Sequence, residues 1–136
     1  METILEKEIQ TAMEEKQLVL HYQPQIDLAN GHLVGAEALL RWKHPWLGVL
    51  GPAKFISAIE EIEIIKSIEY WAINETCRQA VDWQAQGQID TTTSVNVSPA
   101  LISQRGFVEQ IRNTLTETGL QPVSYTHLRA HETDSY

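Results

Sequence analysis

One cysteine is all that the 136 residues contain. With Cys77 alone, no internal disulfide can form, and a reducing cytosol fits. Cys77 itself reads as a small buried residue. Cations are scarce: ten Lys and Arg stand against eighteen Asp and Glu, a formal charge of −8. That balance excludes a general binder of DNA or RNA, which needs a basic footprint. Nowhere do about 18 apolar residues run together, so no segment reads as a membrane span. The opening METILEKEIQ lacks the apolar core of a secretory leader. Together these absences predict a cytoplasmic protein. Internal repeats and long linkers are missing too. What remains is the composition of a globular chain, long enough for one ordinary domain with a core.

The periodicities give the elements. Leu5, Ile9, Ala12 and Met13 share one face of a predicted helix over residues 3–16. LVLHYQPQIDL, residues 18–28, reads as a strand with Leu18, Leu20 and Tyr22 on one face and His21 and Gln23 on the other. Asn30-Gly31 predicts a type I′ hairpin turn, and residues 32–42 return as the antiparallel partner. Gly51-Pro52 opens a helical region. Phe55, Ile56 and Ile59 form its stripe, continued by Ile65, Ile68, Ala72, Thr76, Ala80 and Trp83 up to Gly87, a C-terminal cap. Residues 92–97 are a short strand. Ser98-Pro99 starts another helix, and Val108, Ile111 and Leu115 mark a further one that Gly119 stops. Gln121-Pro122 announces a fresh strand. Strand, strand, helices, strand, helix is an α/β rhythm. Three strands fall short of the eight of a closed (β/α)₈ barrel. The sequence therefore describes either a small α/β domain or the first part of something larger.

GAEALLRW, residues 35–42, carries the chemistry. Alternation puts Ala36, Ala38, Leu40 and Trp42 on a core face, and Glu37, Leu39 and Arg41 on the other. Glu37 and Arg41 then stand roughly 13 Å apart at about 3.3 Å per residue, too far to pair. They could instead grip two parts of one anionic ligand. Asn96, in SVNVS, and Gln23, in the first strand, complete the polar set. A carboxylate and an amide carbonyl are hard oxygen ligands suited to magnesium or manganese. A guanidinium suits phosphate. Each residue has an ordinary alternative: a lone strand Glu is commonly paired or half-exposed, and an Asn before a turn is commonly a local cap. The residues alone specify an α/β domain with a candidate oxyanion and metal site.

HYQPQIDLANGHLVGAEALLRWKHP resembles the start of an EAL domain, the bacterial family that cleaves cyclic di-GMP. Glu37-Ala38-Leu39 is the motif that names the family, preceded by Tyr22-Gln23-Pro24. GPAKFISAIEE resembles its P-x-x-F-I segment before an acidic pair, and SVNVSPALIS its V-N-x-S strand end. The motifs run in order over residues 3–122. The resemblance implies an α/β fold, the N-terminal part of a (β/α)₈ TIM-type barrel with one antiparallel strand. It implies Glu37 and Asn96 as metal ligands for Mg²⁺ or Mn²⁺, and Gln23, Leu39 and Arg41 as substrate contacts. The implied reaction is two-metal hydrolysis of cyclic di-GMP to linear diguanylate in bacterial second-messenger signalling. The alternatives are a degenerate EAL domain that senses cyclic di-GMP without cutting it, and a non-catalytic interaction module. Homodimerisation and upstream sensor or cyclase domains are compatible with the family. One departure is Ile62-Glu63, where the family usually has a glycine in a short turn; a continued or altered helix junction is expected there. The family's further glutamate, adjacent aspartate pair, lysine and later glutamate do not follow in this chain, so none of its catalytic residues is present.

Residues 123–133, VSYTHLRAHET, match one reading frame of a transposon-derived sequencing-library adapter. His127 and His131 at i and i+4 would suit zinc on a helix, but the adapter match argues against an evolved site. The expected division is a truncated EAL domain over 1–122 and a non-native tail over 123–136. Such a tail is expected to pack weakly and to add no strand.

Overall fold

The computed structural model describes residues 4–56, 59, 62–87, 92–120 and 128–132. Helix α1 (Ile4–Glu14) is followed by strands β1 (Leu18–Ile26), β2 (Leu33–His44) and β3 (Gly48–Leu50). Helices α2 (Pro52–Phe55) and α3 (Ile62–Ala85), strand β4 (Thr92–Val97), helices α4 (Pro99–Ile102) and α5 (Phe107–Thr118), and strand β5 (Leu128–Glu132) complete the order. Thr3, the acidic pair Glu60-Glu61, Gln121-Pro122 and His127 lie outside the described residues.

The strands form one sheet in the order β1-β2-β4-β5, with β3 paired to β2. β1 runs antiparallel to β2, with Gln23 opposite Glu37. β4 and β5 run parallel, as strands joined through helices do. This is the mixed α/β arrangement expected of the first part of the barrel. Ala36, Ala38 and Trp42 are buried, as the alternation requires, and Leu40 is half-buried. Two apolar clusters lie against the sheet. Trp42, Phe55, Ile9 and Ile68 centre the first. Ala38, Ile73, Cys77, Val95 and Leu101 centre the second. Helix α3 spans both, because its stripe from Ile64 to Ala80 faces inward over four turns.

Helix α1 ends where Lys16 adopts φ 59°. The N–H of Gln17 closes back on the carbonyl of Ala12 at 2.8 Å, a Schellman cap in which a lysine stands where glycine is usual. Three hydrogen bonds then tie α1 and its cap to the far half of β2. The indole N–H of Trp42 donates to Gln17 Oε1 at 3.1 Å. The N–H of Lys43 donates to the Gln17 carbonyl at 2.9 Å. His44 Nε2 meets Glu8 Oε2 at 2.9 Å. His44 Nδ1 accepts the N–H groups of Trp46 and Leu47, both at 3.1 Å. An accepting Nδ1 puts the ring proton on Nε2, so His44 donates to Glu8.

Four features differ from the sequence expectations. The type I′ turn at Asn30-Gly31 does not form: Gly31 has φ 73°, but Asn30 does not have positive φ. Asp27 Oδ1 takes the N–H of Ala29 at 2.9 Å, opening an Asx turn that starts the loop earlier. The Gly31 N–H then returns to the Asp27 carbonyl at 2.7 Å. Val34 is left over as a bulge, because Gln25 pairs with Gly35 and Ile26 with Leu33. Second, β2 continues to His44 and folds back as the short β3, a hairpin held by the His44 ring. Third, the helical region after Gly51 divides into two helices, and Ile62-Glu63 opens the second.

The fourth correction concerns the tail. Residues 128–132 do add a strand, with Asn96 opposite His131 in a parallel ladder on the free edge of β4. An unpaired strand edge presents a row of N–H and C=O groups that templates any extended segment within reach. His131 lies on this strand and not on a helix. No helix among the described residues is long and apolar enough to cross a membrane.

Candidate active site

The parallel ladder between β2 and β4 runs from Gly35–Thr92 to Ala38–Val95 and stops. Beyond it the strands part, and the polar residues gather at the parting. This is the C-terminal end of β4, where α/β barrels build their sites, while β2 runs on to His44. Glu37 and Asn96 meet there: Asn96 Nδ2 donates to Glu37 Oε2 at 3.2 Å, across 59 residues of sequence. Both side chains are half-buried. The Asn96 carbonyl oxygen remains to accept or ligate, so two hard oxygen donors stand side by side.

Gln23 is the cross-strand neighbour of Glu37 on the exposed side of β1. Arg41 is half-buried, as is Leu39, and its Nη1 donates to the carbonyl of Leu40 at 2.8 Å. Among the described residues Arg41 makes no ion pair, and it does not reach Glu37, as the strand spacing requires. Leu39, Arg41 and Asn96 line a cavity of about 40 Å³ between the parting strands, together with Pro52 and Glu69. The structure thus brings Glu37 against Asn96, sets Gln23 opposite Glu37, and puts Leu39 and Arg41 on the cavity that Asn96 also lines.

Glu69 was missed by sequence reasoning. It sits on α3, is 2% exposed, and its Oε2 accepts the N–H of Ser98 at 2.8 Å. Its Oε1 is buried with no hydrogen-bond partner among the described residues. The available signal was a charge inside the helix's apolar stripe, four residues after Ile65 and four before Ile73. Ser98 itself behaves as expected: its Oγ caps α4 by accepting the N–H of Leu101 at 3.3 Å, ahead of Pro99.

Two nearby groups are removed from the chemistry. Burial pushes the Cys77 thiol up to about 11, so it is not a nucleophile at neutral pH. Burial, with Glu75 adding to it, pushes the Tyr22 phenol up to about 12, and its ring packs edge-on to Trp83 at 5.0 Å. For a metal, the donors are of the right class, oxygen atoms suited to magnesium or manganese. No group of three or more His, Cys, Asp or Glu among the described residues could hold an ion alone.

Known proteins resemble this chain in sequence and fold. The chain is 38% identical over 128 residues to the bifunctional diguanylate cyclase/cyclic di-GMP phosphodiesterase MucR of Pseudomonas aeruginosa, covering 94% of this chain and 18% of MucR. It is 34% identical over 116 residues to the cyclic di-GMP phosphodiesterase NbdA of the same organism, covering 85% of this chain and 15% of NbdA. The solved MucR phosphodiesterase, a c-di-GMP complex, superposes with a TM-score of 0.85 at 38% identity, over 94% of this chain and 51% of that one. The chain therefore spans under a fifth of these two curated relatives and about half of the solved domain. The profile of the EAL domain matches residues 6–126. The chain belongs to the EAL domain family, with the fold of the N-terminal part of its (β/α)₈ barrel.

Proposed function

We propose that this domain is part of a cyclic di-GMP phosphodiesterase that hydrolyses its substrate to linear diguanylate in the bacterial cytoplasm. The observation that carries the reading is the 3.2 Å contact between Asn96 and Glu37, with Arg41 lining the small cavity that Asn96 also lines. In this reading Glu37 and Asn96 are metal ligands, and Gln23, Leu39 and Arg41 contact substrate. Bound magnesium or manganese would supply activation of water and neutralisation of charge on the leaving oxygen. The chain's own residues do the positioning. Glu37 and Asn96 present a carboxylate and an amide oxygen from two strands, so neither turns without moving the other. The guanidinium of Arg41 spends an N–H on the Leu40 carbonyl. The rest of its fork is available to a phosphate, which it can bind through two parallel hydrogen bonds. Leu39 gives the ligand an apolar flank, and the Gln23 amide lies next to the carboxylate.

A second reading is a domain that binds cyclic di-GMP without cutting it. It is favoured by the two-member ligand set among the described residues, which is short of what a two-metal site needs. One experiment separates the two: hydrolysis and binding of cyclic di-GMP by the whole phosphodiesterase of which this domain is a part, wild type and Glu37→Gln, with magnesium or manganese. A neutral amide cannot replace the carboxylate's charge at a metal, so turnover should be lost. Near wild-type turnover at saturating metal would sink the Glu37 assignment, and binding with no turnover in the wild type selects the second reading.

We also propose that residues 123–136 are no part of the family domain, although the family match runs to residue 126. The adapter reading frame supports this. Sequencing source DNA through the codon for Val123 tests it, and finding VSYTHLRAHET encoded in unamplified genomic DNA refutes it.

A further inference from the structure

We propose that Glu69 is a positioning residue of this site, holding Asn96 in place through the backbone of Ser98. The proposal rests on the reading of Asn96 as a ligand-bearing residue. A helix that had only to pack would place an apolar residue at this point, as Ile68, Ala72 and Ile73 do on either side. A carboxylate there is costly unless it is hydrogen-bonded, because burial strips away its water. Among the described residues its one hydrogen bond is from the N–H of Ser98 at 2.8 Å, two residues beyond Asn96. The register between β2 and β4 ends at Ala38–Val95, one residue before Asn96, and at Asn96 and Val97 the ladder continues only beside residues 131 and 132 on the other edge. The carboxylate of Glu69 fixes the strand end from below, and Asn96 reaches Glu37 from that anchored end. The same carboxylate lines the small cavity that Arg41 and Asn96 also line, with Oε1 free to accept a donor there.

The test reads the side-chain amide of Asn96 by nuclear magnetic resonance in the full chain, selectively labelled with ¹⁵N-asparagine and identified by its loss in Asn96→Asp. Glu37→Gln alters the direct partner and shifts the resonance. Glu69→Ala should shift it as well, although Glu69 does not touch Asn96. Glu69→Gln keeps an oxygen that can accept from Ser98 and should restore the wild-type position. If Glu69→Ala does not fold, Glu69→Asp, one methylene too short to reach Ser98, replaces it with the same expectation. An unmoved Asn96 resonance in a folded Ala or Asp variant overturns the proposal, and so does a Gln variant that behaves like Ala. Added Mn²⁺ should broaden the Asn96 signal in the wild type, with affinity weakened about tenfold in Glu69→Ala, the size of one lost hydrogen bond to a charged group. Absence of broadening in the wild type sinks the metal reading, while the metal-free spectra still decide on Glu69.

Discussion

Asn96→Asp places a second carboxylate where an amide now donates to Glu37 at 3.2 Å. The hydrogen bond is lost and two like charges face each other. Coulomb's law at that separation gives about 1 kcal/mol with the dielectric constant of water and about 5 kcal/mol at an effective value of about 20. The pair is half-buried, so the cost lies between these bounds. Repulsion makes the introduced carboxylate hold its proton to higher pH in the folded state than in the unfolded chain. A group with a raised folded pKa leaves stability intact below its unfolded pKa and removes it as pH rises through the folded one. The variant should therefore match the wild type near pH 3 and fall behind it by about 1–5 kcal/mol at pH 7.5. Manganese should reverse the deficit, because a cation between two carboxylates converts repulsion into ligation. Urea unfolding at the two pH values, with and without metal, reads all of this. Equal stability of the two proteins at pH 7.5 without metal would show that Asn96 and Glu37 are not neighbours.

The other predictions are simpler. In the whole phosphodiesterase, Arg41→Ala should raise KM for cyclic di-GMP by about 10-fold or more, the worth of a hydrogen bond to a charged group, and leave metal affinity unchanged; unaltered kinetics remove Arg41 from the site. Cys77, fully buried and with its thiol pushed up to about 11, should resist iodoacetamide at pH 7.5 until the chain unfolds. Labelling of the native protein at the rate of a free thiol refutes that burial. The 136-residue polypeptide, purified as it stands, should not hydrolyse cyclic di-GMP. Metal-dependent turnover by it would show that Glu37 and Asn96 need no further ligands.

The elements with strong periodicity were legible in the sequence. Ile68, Ala72, Thr76 and Ala80 repeat along α3 and are buried together, and the alternation through GAEALLRW set its core face correctly. Long-range or very local determinants were not. β3 is three residues long and depends on the His44 ring accepting two N–H groups, which no periodicity records. The Asn30-Gly31 pair signalled a two-residue turn, but the Asp27 side chain three residues earlier captured the backbone first. Glu37 and Asn96 came together through the family resemblance, since spacing along one chain does not say which strands are neighbours. Glu69 stood out only as a charge within an apolar stripe, and its role was not legible because its partner lies 29 residues away and is a backbone N–H, which any residue but proline offers. The strand at 128–132 escaped because an open edge recruits by backbone geometry and not by side-chain pattern.

The three bonds from α1 and its cap to β2 have a mechanical consequence. Trp42, Lys43 and His44 are consecutive, and each is tethered to Gln17 or Glu8. Arg41 is the next residue on the same rigid strand. A pull or twist on α1 is therefore delivered within one residue of the proposed phosphate contact, with no flexible loop between to absorb it.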